Sequence, residues 1–142
     1  MHCRPLLTAA LLMLTSGCAS GLNSIQQAEL DHYRANNLAA EEKSPAGAML
    51  LGLLPGGGSF YGRAYVPGTV NLLLWPVSVL WDPFSGYNAA ESINYQVTRA
   101  HVARLKRNEM EELDSQLLLN VIDQKQYAVK RRLVDEKFSN GY

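Results

Sequence analysis

Apolar positions are concentrated in residues 44–84, a stretch in which Arg63 is the only charge between Lys43 and Asp82. Two apolar runs, 46–54 and 66–81, flank a centre that is rich in proline and glycine. Because these residues end helices and permit tight turns, the pattern predicts an apolar helical hairpin that bends at residues 55–58. We expect the bend and the aromatic side chains to contact a membrane or a partner, a set that comprises Pro55, Gly56, Gly57, Gly58, Phe60, Tyr61, Trp75 and Trp81.

The length of this hairpin leaves three arrangements open. As a helix, the run 46–54 covers less than half of a hydrocarbon core that is roughly 30 Å thick. The run 66–81 is longer, but it contains two prolines. The hairpin can pack beneath other helices or against a partner, it can enter one leaflet of a membrane, or 66–81 can span the membrane. The short first run and the prolines favour the first two arrangements.

A polar helix is predicted before the hairpin. Ser24 and Gln27 have the spacing of a capping box, which opens a helix that continues to about Glu42. Pro45 ends it, because the residue before a proline is disfavoured in the helical region. The apolar face of this helix is thin, so we expect the helix to need a surface on which to lie.

A longer helix is predicted after the hairpin. Residues 85–88 are typical of a turn, and Asn88 with Glu91 forms a second capping-box pattern. The helix that starts there is predicted to continue to about Leu119.

The C-terminal residues are predicted to fold back on this helix. Asn120 suits the left-handed conformation that ends helices, and Asp123 with Gln126 caps a further helix over 124–138. Acidic residues precede the turn and basic residues follow it. If the chain folds back at about Val121, position 112 lies opposite position 130 and position 111 lies opposite position 131. A continuous coiled coil is the alternative, and it is disfavoured because the apolar residues hold no single heptad phase.

Together these elements predict a mainly α fold, with an N-terminal helix, an apolar helical hairpin with a glycine-rich turn, and a charged C-terminal helix-turn-helix. The predicted segments are 1–17, 18–43, 44–87 and 88–142. A formal net charge of zero gives no basis for nucleic-acid binding.

The N-terminus has the pattern of an export signal. Arg4 precedes an apolar run at 6–14 that is too short to span a bilayer, and Thr-Ser-Gly-Cys follows at 15–18. This ending resembles the lipobox of bacterial lipoproteins, which implies a cleaved signal peptide and a palmitate-bearing lipid anchor on Cys18. Because Ala19 rather than aspartate follows, the resemblance implies the outer membrane, on its periplasmic side. An ordinary secretory signal is the alternative, and it leaves Cys18 as a lone thiol in an oxidising compartment.

The hairpin carries a resemblance of its own. Its order of apolar run, Pro-Gly, Phe-Tyr, Gly and apolar run is similar to that of a small two-transmembrane domain with a Pro-Gly/Phe-Tyr signature. The matching residues are Pro55, Gly56, Phe60, Tyr61, Gly62 and Gly68. The resemblance covers the hairpin only, and it implies a shared hairpin geometry.

Residues 112–136 resemble the SHOCT module, a short C-terminal pair of helices. The matching positions are Asp123, Lys130 and the apolar residues of the segment. The resemblance implies an interaction or oligomerisation module rather than a catalytic one. Its interaction helices would use Leu113, Leu117, Ile122, Tyr127 and Leu133. A generic amphipathic helical hairpin is the alternative.

The sequence contains no nucleophile–base–acid set, no metal-ligand spacing and no phosphate loop, and His32 and His101 have no partners at a diagnostic spacing. We therefore expect no catalytic site, no metal site and no cofactor. The function hypothesis is a non-enzymatic outer-membrane lipoprotein that acts as a structural or assembly component of the cell envelope. Its partners would be the membrane and either another envelope protein or a second copy. The alternative is a lipid-binding or lipid-sensing periplasmic module that uses the apolar hairpin.

Overall fold

The computed structural model describes residues 21–139. Within this range the chain forms six α-helices and one 3₁₀ helix and contains no strand, so the predicted mainly α class is confirmed. No helix within the same range combines the length and the hydropathy that a membrane crossing requires. The helices are α1 (Ser24–Ala35), α2 (Pro45–Leu51), α3 (Gly57–Tyr61), α4 (Tyr65–Leu73), the 3₁₀ helix (Val77–Leu80), α5 (Asp82–Leu118) and α6 (Gln124–Lys137).

The chain divides into two compact units. Unit 1 contains Lys43–Ile93, and therefore α2, α3, α4, the 3₁₀ helix and the first turns of α5. Unit 2 contains Asn23–Glu42 and the chain from Asn94 onward, and therefore α1, the remainder of α5 and α6.

Unit 1 begins with short helices that are set by local capping. Ser44 caps α2, since its hydroxyl accepts a hydrogen bond from the Gly47 N–H at 3.1 Å, and Pro45 occupies the first helical position. Gly56 has φ of 69°, a left-handed conformation that glycine adopts without steric cost, and α3 starts immediately after it. Helix α2 packs on α3, and α3 packs on α4.

The second apolar run is not a single helix. Helix α4 ends at Leu73, the Trp75–Pro76 peptide bond is cis, and the chain then forms the 3₁₀ helix. Pro76 therefore lies between two short helical elements instead of kinking one long helix.

Glycines allow backbones to approach closely inside unit 1. A Cβ added to Gly86 would lie 2.7 Å from the Gly58 Cα, and one added to Gly58 would lie 2.6 Å from the Asp82 main-chain oxygen. The start of α5 therefore packs against the bend with almost no side-chain volume between them.

Unit 2 has a conventional hydrophobic core. Residues of α1, α5 and α6 and of the turn between the last two helices pack together there, with Leu38, Ala39, Leu105, Met110, Leu117 and Tyr127 at the margin. The buried residues are Tyr33, Val102, Leu113, Ile122, Val134 and Phe138.

The predicted turn between α5 and α6 is confirmed. Asn120 has φ of 56°, in the left-handed region. Asp123 and Gln126 form a reciprocal capping box, in which Asp123 accepts from the Gln126 N–H at 2.7 Å and its own N–H donates to Gln126 at 3.1 Å.

The side-chain pairs between the two helices differ from the predicted ones. Ion pairs join Lys106 to Asp135 at 2.8 Å and Glu109 to Lys137. The predicted pairing of position 112 with 130 is wrong, because Lys130 donates to the Gln116 side chain at 3.2 Å. The apolar core residues fix the register, since exposed ion pairs contribute little.

The start of α1 was predicted one residue too late. Its capping box uses Asn23 and Gln26 instead of Ser24 and Gln27. The helix also ends at Ala35, well before Glu42. The helix ends because Asn37 takes a left-handed conformation, with φ of 55°, and the Leu38 N–H bonds back to the Tyr33 main-chain oxygen at 2.9 Å.

The predicted turn at 85–88 and the cap at Asn88 are wrong, because both lie inside α5. The helix already starts at Asp82, with Pro83 in its first turn, where a proline is tolerated. Gly86 lies within this helix, and any side chain at that position would clash with the backbone of Gly58.

We expect Leu113→Ala to lower the free energy of unfolding by about 2–5 kcal/mol, because Leu113 is 7% exposed and its removal leaves a cavity in the core of unit 2. Leu118→Ala is the matched control on the same helix, at 81% exposure, and should change stability by less than about 0.5 kcal/mol. Urea unfolding of the purified protein in mild detergent measures both. Equal effects of the two substitutions would contradict this packing.

Candidate functional site

Four polar side chains form a buried cluster in unit 1. Ser59, Asn71, Ser78 and Asp82 are each 5% exposed or less. They come from α3, α4, the 3₁₀ helix and the first position of α5, so the cluster joins every part of the unit that follows the bend.

The Asp82 carboxylate is the acceptor at the centre of this cluster. It accepts from the Gly58 N–H at 3.0 Å, from the Ser59 N–H at 3.2 Å and from the Asn71 amide at 2.6 Å. The Ser59 hydroxyl donates to it as well. Two of these donors are N–H groups at the start of α3, which have no partner within that helix. Asp82 therefore caps α3 from a distant point in the chain, and four donors of the protein satisfy its buried carboxyl group.

Asn71 extends the cluster in three directions. Its amide nitrogen also donates to the Ser59 hydroxyl at 2.9 Å, and its side-chain oxygen accepts from the Trp81 indole N–H at 3.0 Å. Its main-chain oxygen accepts from the Ser78 hydroxyl at 2.8 Å. Within residues 21–139, every buried side-chain nitrogen or oxygen has a hydrogen-bond partner. The interior of unit 1 is therefore polar and fully bonded.

Large apolar side chains lie on the outside of unit 1. We call this exposed set the apolar surface. Val66 and Leu73 are each 78% exposed, and Trp75 is 53% exposed. The set comprises Met49, Leu50, Leu53, Leu54, Phe60, Tyr65, Val66, Leu72, Leu73, Leu74, Trp75, Val77, Leu80, Trp81, Phe84 and Tyr87.

Burial in unit 1 is therefore the reverse of that in unit 2. Among the described residues of unit 1, the buried hydrophobic side chains are the alanines Ala48, Ala89 and Ala90. Unit 2 buries leucine, valine, isoleucine, tyrosine and phenylalanine in an ordinary core. Soluble monomers rarely expose large contiguous apolar patches, and such patches mark protein or membrane contacts.

The contact residues predicted in the hairpin separate into three groups. Gly56 and Gly58 are buried, and they serve the close packing of the unit. Pro55, Gly57 and Tyr61 are half-buried, and the Tyr61 hydroxyl accepts from the Ser44 N–H at 3.1 Å. Phe60, Trp75 and Trp81 belong to the apolar surface.

The predicted interaction residues of the C-terminal helices mostly face their own unit. Leu113 and Ile122 are buried in the core, and Leu117 and Tyr127 pack against it, while Leu133 is 58% exposed. A second exposed apolar patch contains Leu118, Leu119, Val121, Val129 and Leu133. Beside it lies an open groove of about 650 Å³ that Lys125 and Lys130 help to line.

The predicted lipidation residue, Cys18, is outside the described residues. His101 lies at the surface of unit 2, where its Nδ1 is 3.2 Å from the Arg104 guanidinium, and His32 contacts the side chain of Asn36. No group of three or more His, Cys, Asp or Glu side chains between residues 21 and 139 is arranged to hold a metal ion.

Unit 2 contains a second buried carboxylate, which sequence reasoning missed. Glu29 accepts from the Tyr33 hydroxyl at 3.0 Å and from the Tyr95 hydroxyl at 2.7 Å. Burial and the neighbouring Glu29 raise the pKa of Tyr33 from 10.0 to about 12, and the same causes raise the pKa of Tyr95. The Arg99 guanidinium lies 5.6 Å from the centre of the Tyr95 ring. This arrangement holds both phenols as neutral donors and fixes α1 on α5.

A signal for the buried cluster of unit 1 was present in the sequence. Asn71 and Ser78 are isolated polar residues in an apolar run, and Asp82 is the first acid after it. Isolated polar residues in such a run are expensive to bury unless they bond to one another. The spacing alone did not show that Ser59, which precedes the run, completes the group.

Comparison with protein-family models, with curated proteins and with solved structures gives no match for this chain.

We expect Asp82→Ala to lower the free energy of unfolding by roughly 2–4 kcal/mol, because each buried donor that loses its acceptor costs about 1–3 kcal/mol. Asp135→Ala is the matched control: its carboxylate pairs with Lys106 but is 49% exposed, so the loss should stay below about 1 kcal/mol. Denaturant unfolding in mild detergent measures both. A loss for Asp82→Ala as small as that of the control would contradict the capping role.

The Tyr33 pKa predicts a pH dependence of stability. Its folded value is raised, so the neutral phenol stabilises the fold fully below pH 10.0, and this contribution is lost as the pH rises toward about 12. The difference in tyrosinate absorbance between the wild type and Tyr33→Phe should show a midpoint near 12. Tyr65, which is 66% exposed, provides a control through Tyr65→Phe. A Tyr33 midpoint at the ordinary tyrosine value would contradict the buried pairing with Glu29.

Proposed function

We propose that this protein is a non-enzymatic outer-membrane lipoprotein of a bacterial cell envelope. Lipid on Cys18 anchors the chain, and the apolar surface of unit 1 provides a structural or assembly contact close to that anchor. The proposal joins the resemblance of residues 15–18 to a lipobox with the exposure of large apolar side chains in unit 1.

The apolar surface is the observation that carries the proposal. Burying one large aliphatic or aromatic side chain stabilises a protein by about 1.5–3 kcal/mol, and unit 1 leaves many of them exposed. A chain that kept this surface in water would self-associate. A protein held at a membrane by a lipid has a covering environment within reach.

Unit 2 supports the interaction part of the proposal. It has its own hydrophobic core, and it still exposes Leu118, Leu119, Val121 and Val129 beside the open groove. Such a patch suits an envelope protein partner or a second copy. It agrees with the interaction role that the resemblance to the SHOCT module implies.

We propose no catalytic role. The oxygens of Asp82 and Glu29, the two buried carboxylates that the structure places in polar clusters, are occupied by donors from the protein itself. A general acid or base needs hydrogen-bond reach to a substrate. Both carboxylates therefore serve the fold.

The outward direction of the side chains favours surface contact over the alternative of a lipid-binding or lipid-sensing module. A module that carries one lipid molecule would direct its large apolar side chains into an enclosed cavity. In unit 1 such side chains point to the outside, and the interior holds alanine, glycine and the polar cluster.

Metabolic labelling tests the anchor. Cells that express the wild type and are grown with radiolabelled palmitate should yield a labelled protein, and Cys18→Ser should not be labelled. Cys3→Ser is the matched control and should keep its label, because Cys3 lies in the predicted signal peptide. Labelling of Cys18→Ser would overturn the lipoprotein assignment.

Detergent-free behaviour tests the contact surface. The Cys18→Ser protein, made without residues 1–17, should form concentration-dependent assemblies in buffer that mild detergent disperses. Light scattering coupled to gel filtration measures this. A monodisperse monomer without detergent would contradict the proposal that unit 1 needs a covering partner.

A further inference from the structure

We infer that the partner covering the apolar surface of unit 1 is lipid hydrocarbon, and that unit 1 is embedded in a single leaflet of the membrane. The inference rests on the proposed function, because the lipid on Cys18 holds the chain at that leaflet. It goes further by choosing acyl chains over a protein partner.

Several polar groups near the apolar surface are bonded within unit 1. The Thr69 hydroxyl donates to the Tyr65 main-chain oxygen at 3.0 Å, and the Trp81 indole N–H donates to Asn71. The Tyr61 hydroxyl accepts from Ser44. Protein interfaces form about one hydrogen bond per 100–200 Å², so a protein partner needs polar groups to bond. Hydrocarbon needs none, and it matches a surface that offers few.

The buried polar cluster of unit 1 bonds some of the backbone groups that a lipid environment would leave unpaired. Hydrocarbon offers no hydrogen bonds, so irregular backbone at that depth must be satisfied by the protein itself. Asp82 provides acceptors for N–H groups at the start of α3, and Ser78 provides a donor for the Asn71 main-chain oxygen. The start of α3 is thereby bonded within the protein, as hydrocarbon requires of a helix end.

Close backbone packing is a second feature that suits hydrocarbon. Helices in membranes associate through small residues that allow backbones to touch, since lipid tails are as apolar as leucine side chains. In unit 1, Gly58 meets Gly86 and Gly52 meets Pro83 at such distances. The large apolar side chains are thereby left to face outward.

The dimensions fit one leaflet. Helix α4 has nine residues and is therefore about 14 Å long at 1.5 Å per residue. Half of a hydrocarbon core is roughly 15 Å. The one charge between Lys43 and Asp82 is the exposed cation Arg63, which suits the phosphate layer at the edge of the leaflet.

Tryptophan fluorescence gives a direct test, because both tryptophans of the chain, Trp75 and Trp81, belong to the apolar surface. The protein purified from membranes is reconstituted into phosphatidylcholine vesicles whose acyl chains carry bromine, a contact quencher. We expect blue-shifted emission and loss of most of the fluorescence relative to unbrominated vesicles. Trp75→Phe leaves Trp81 as the single reporter and should retain the quenching.

Matched substitutions locate the contact. Val66→Asp/Leu73→Asp places charges at two highly exposed positions of α4 and should abolish most of the quenching. Leu118→Asp/Leu119→Asp alters equally exposed positions of unit 2 and should leave the quenching unchanged. Circular dichroism of both variants confirms that the helices are retained. If both variants lost quenching equally, the assignment to unit 1 would be overturned.

The outcomes separate this inference from the proposed function. Blue-shifted emission without bromine quenching would show that protein, a partner or a second copy, covers the surface; the inference would fail while the contact role stood. Water-like emission without quenching would overturn both. Quenching in a protein that carries no palmitate would support the inference and overturn the lipid anchor.

Discussion

Unit 1 depends on one buried carboxylate. Asp82 accepts hydrogen bonds from the Gly58 and Ser59 N–H groups, the Ser59 hydroxyl and the Asn71 amide, and so ties the bend to α3, α4 and α5. A charge without these donors would be too costly to bury, and α3 without this acceptor would leave its first N–H groups unbonded. The same contact gives the carboxylate its donors and gives the start of α3 its acceptor. The short helices of unit 1 are therefore held by polar bonds and by glycine packing, where a conventional domain would use a hydrophobic core.

The small, polar interior of unit 1 explains why its large apolar side chains are exposed. An interior of alanine, glycine and a few polar side chains leaves little room for leucine or tryptophan, so the large apolar side chains of the segment point outward. Unit 2 follows the opposite rule and buries its large side chains around Leu113 and Phe138. One chain thus combines a unit with a conventional hydrophobic core and a unit that exposes most of its large apolar side chains. A lipid anchor upstream, as the lipobox resemblance implies, would place the second kind of unit beside a membrane.

The sequence was sufficient for the mainly α class and for the turn between α5 and α6, because Asn120, Asp123 and Gln126 act through local backbone geometry. It was insufficient where distant residues decide. Helix α5 starts at Asp82 instead of Asn88; Asp82 and Pro83 are residues typical of a helix start, but the contacts of Gly86 and Asp82 across unit 1 are not visible in the sequence. The sequence left open whether the apolar runs pack beneath other helices or contact a membrane or a partner. It did not reveal that the few polar residues within these runs form the interior of unit 1. The interaction residues were chosen by apolar periodicity, which also selects a unit's own core, as Leu113 and Ile122 demonstrate.

The central claim is that the large side chains of unit 1 face hydrocarbon while its polar cluster faces inward. The most direct measurement is electron paramagnetic resonance of a spin label at Leu73→Cys in the vesicle-bound protein, with Leu118→Cys as the reference in unit 2. The account predicts that the label at position 73 collides readily with dissolved oxygen and is shielded from a water-soluble nickel complex, with the reverse at position 118. Ready collision of the label at position 73 with the nickel complex would contradict it.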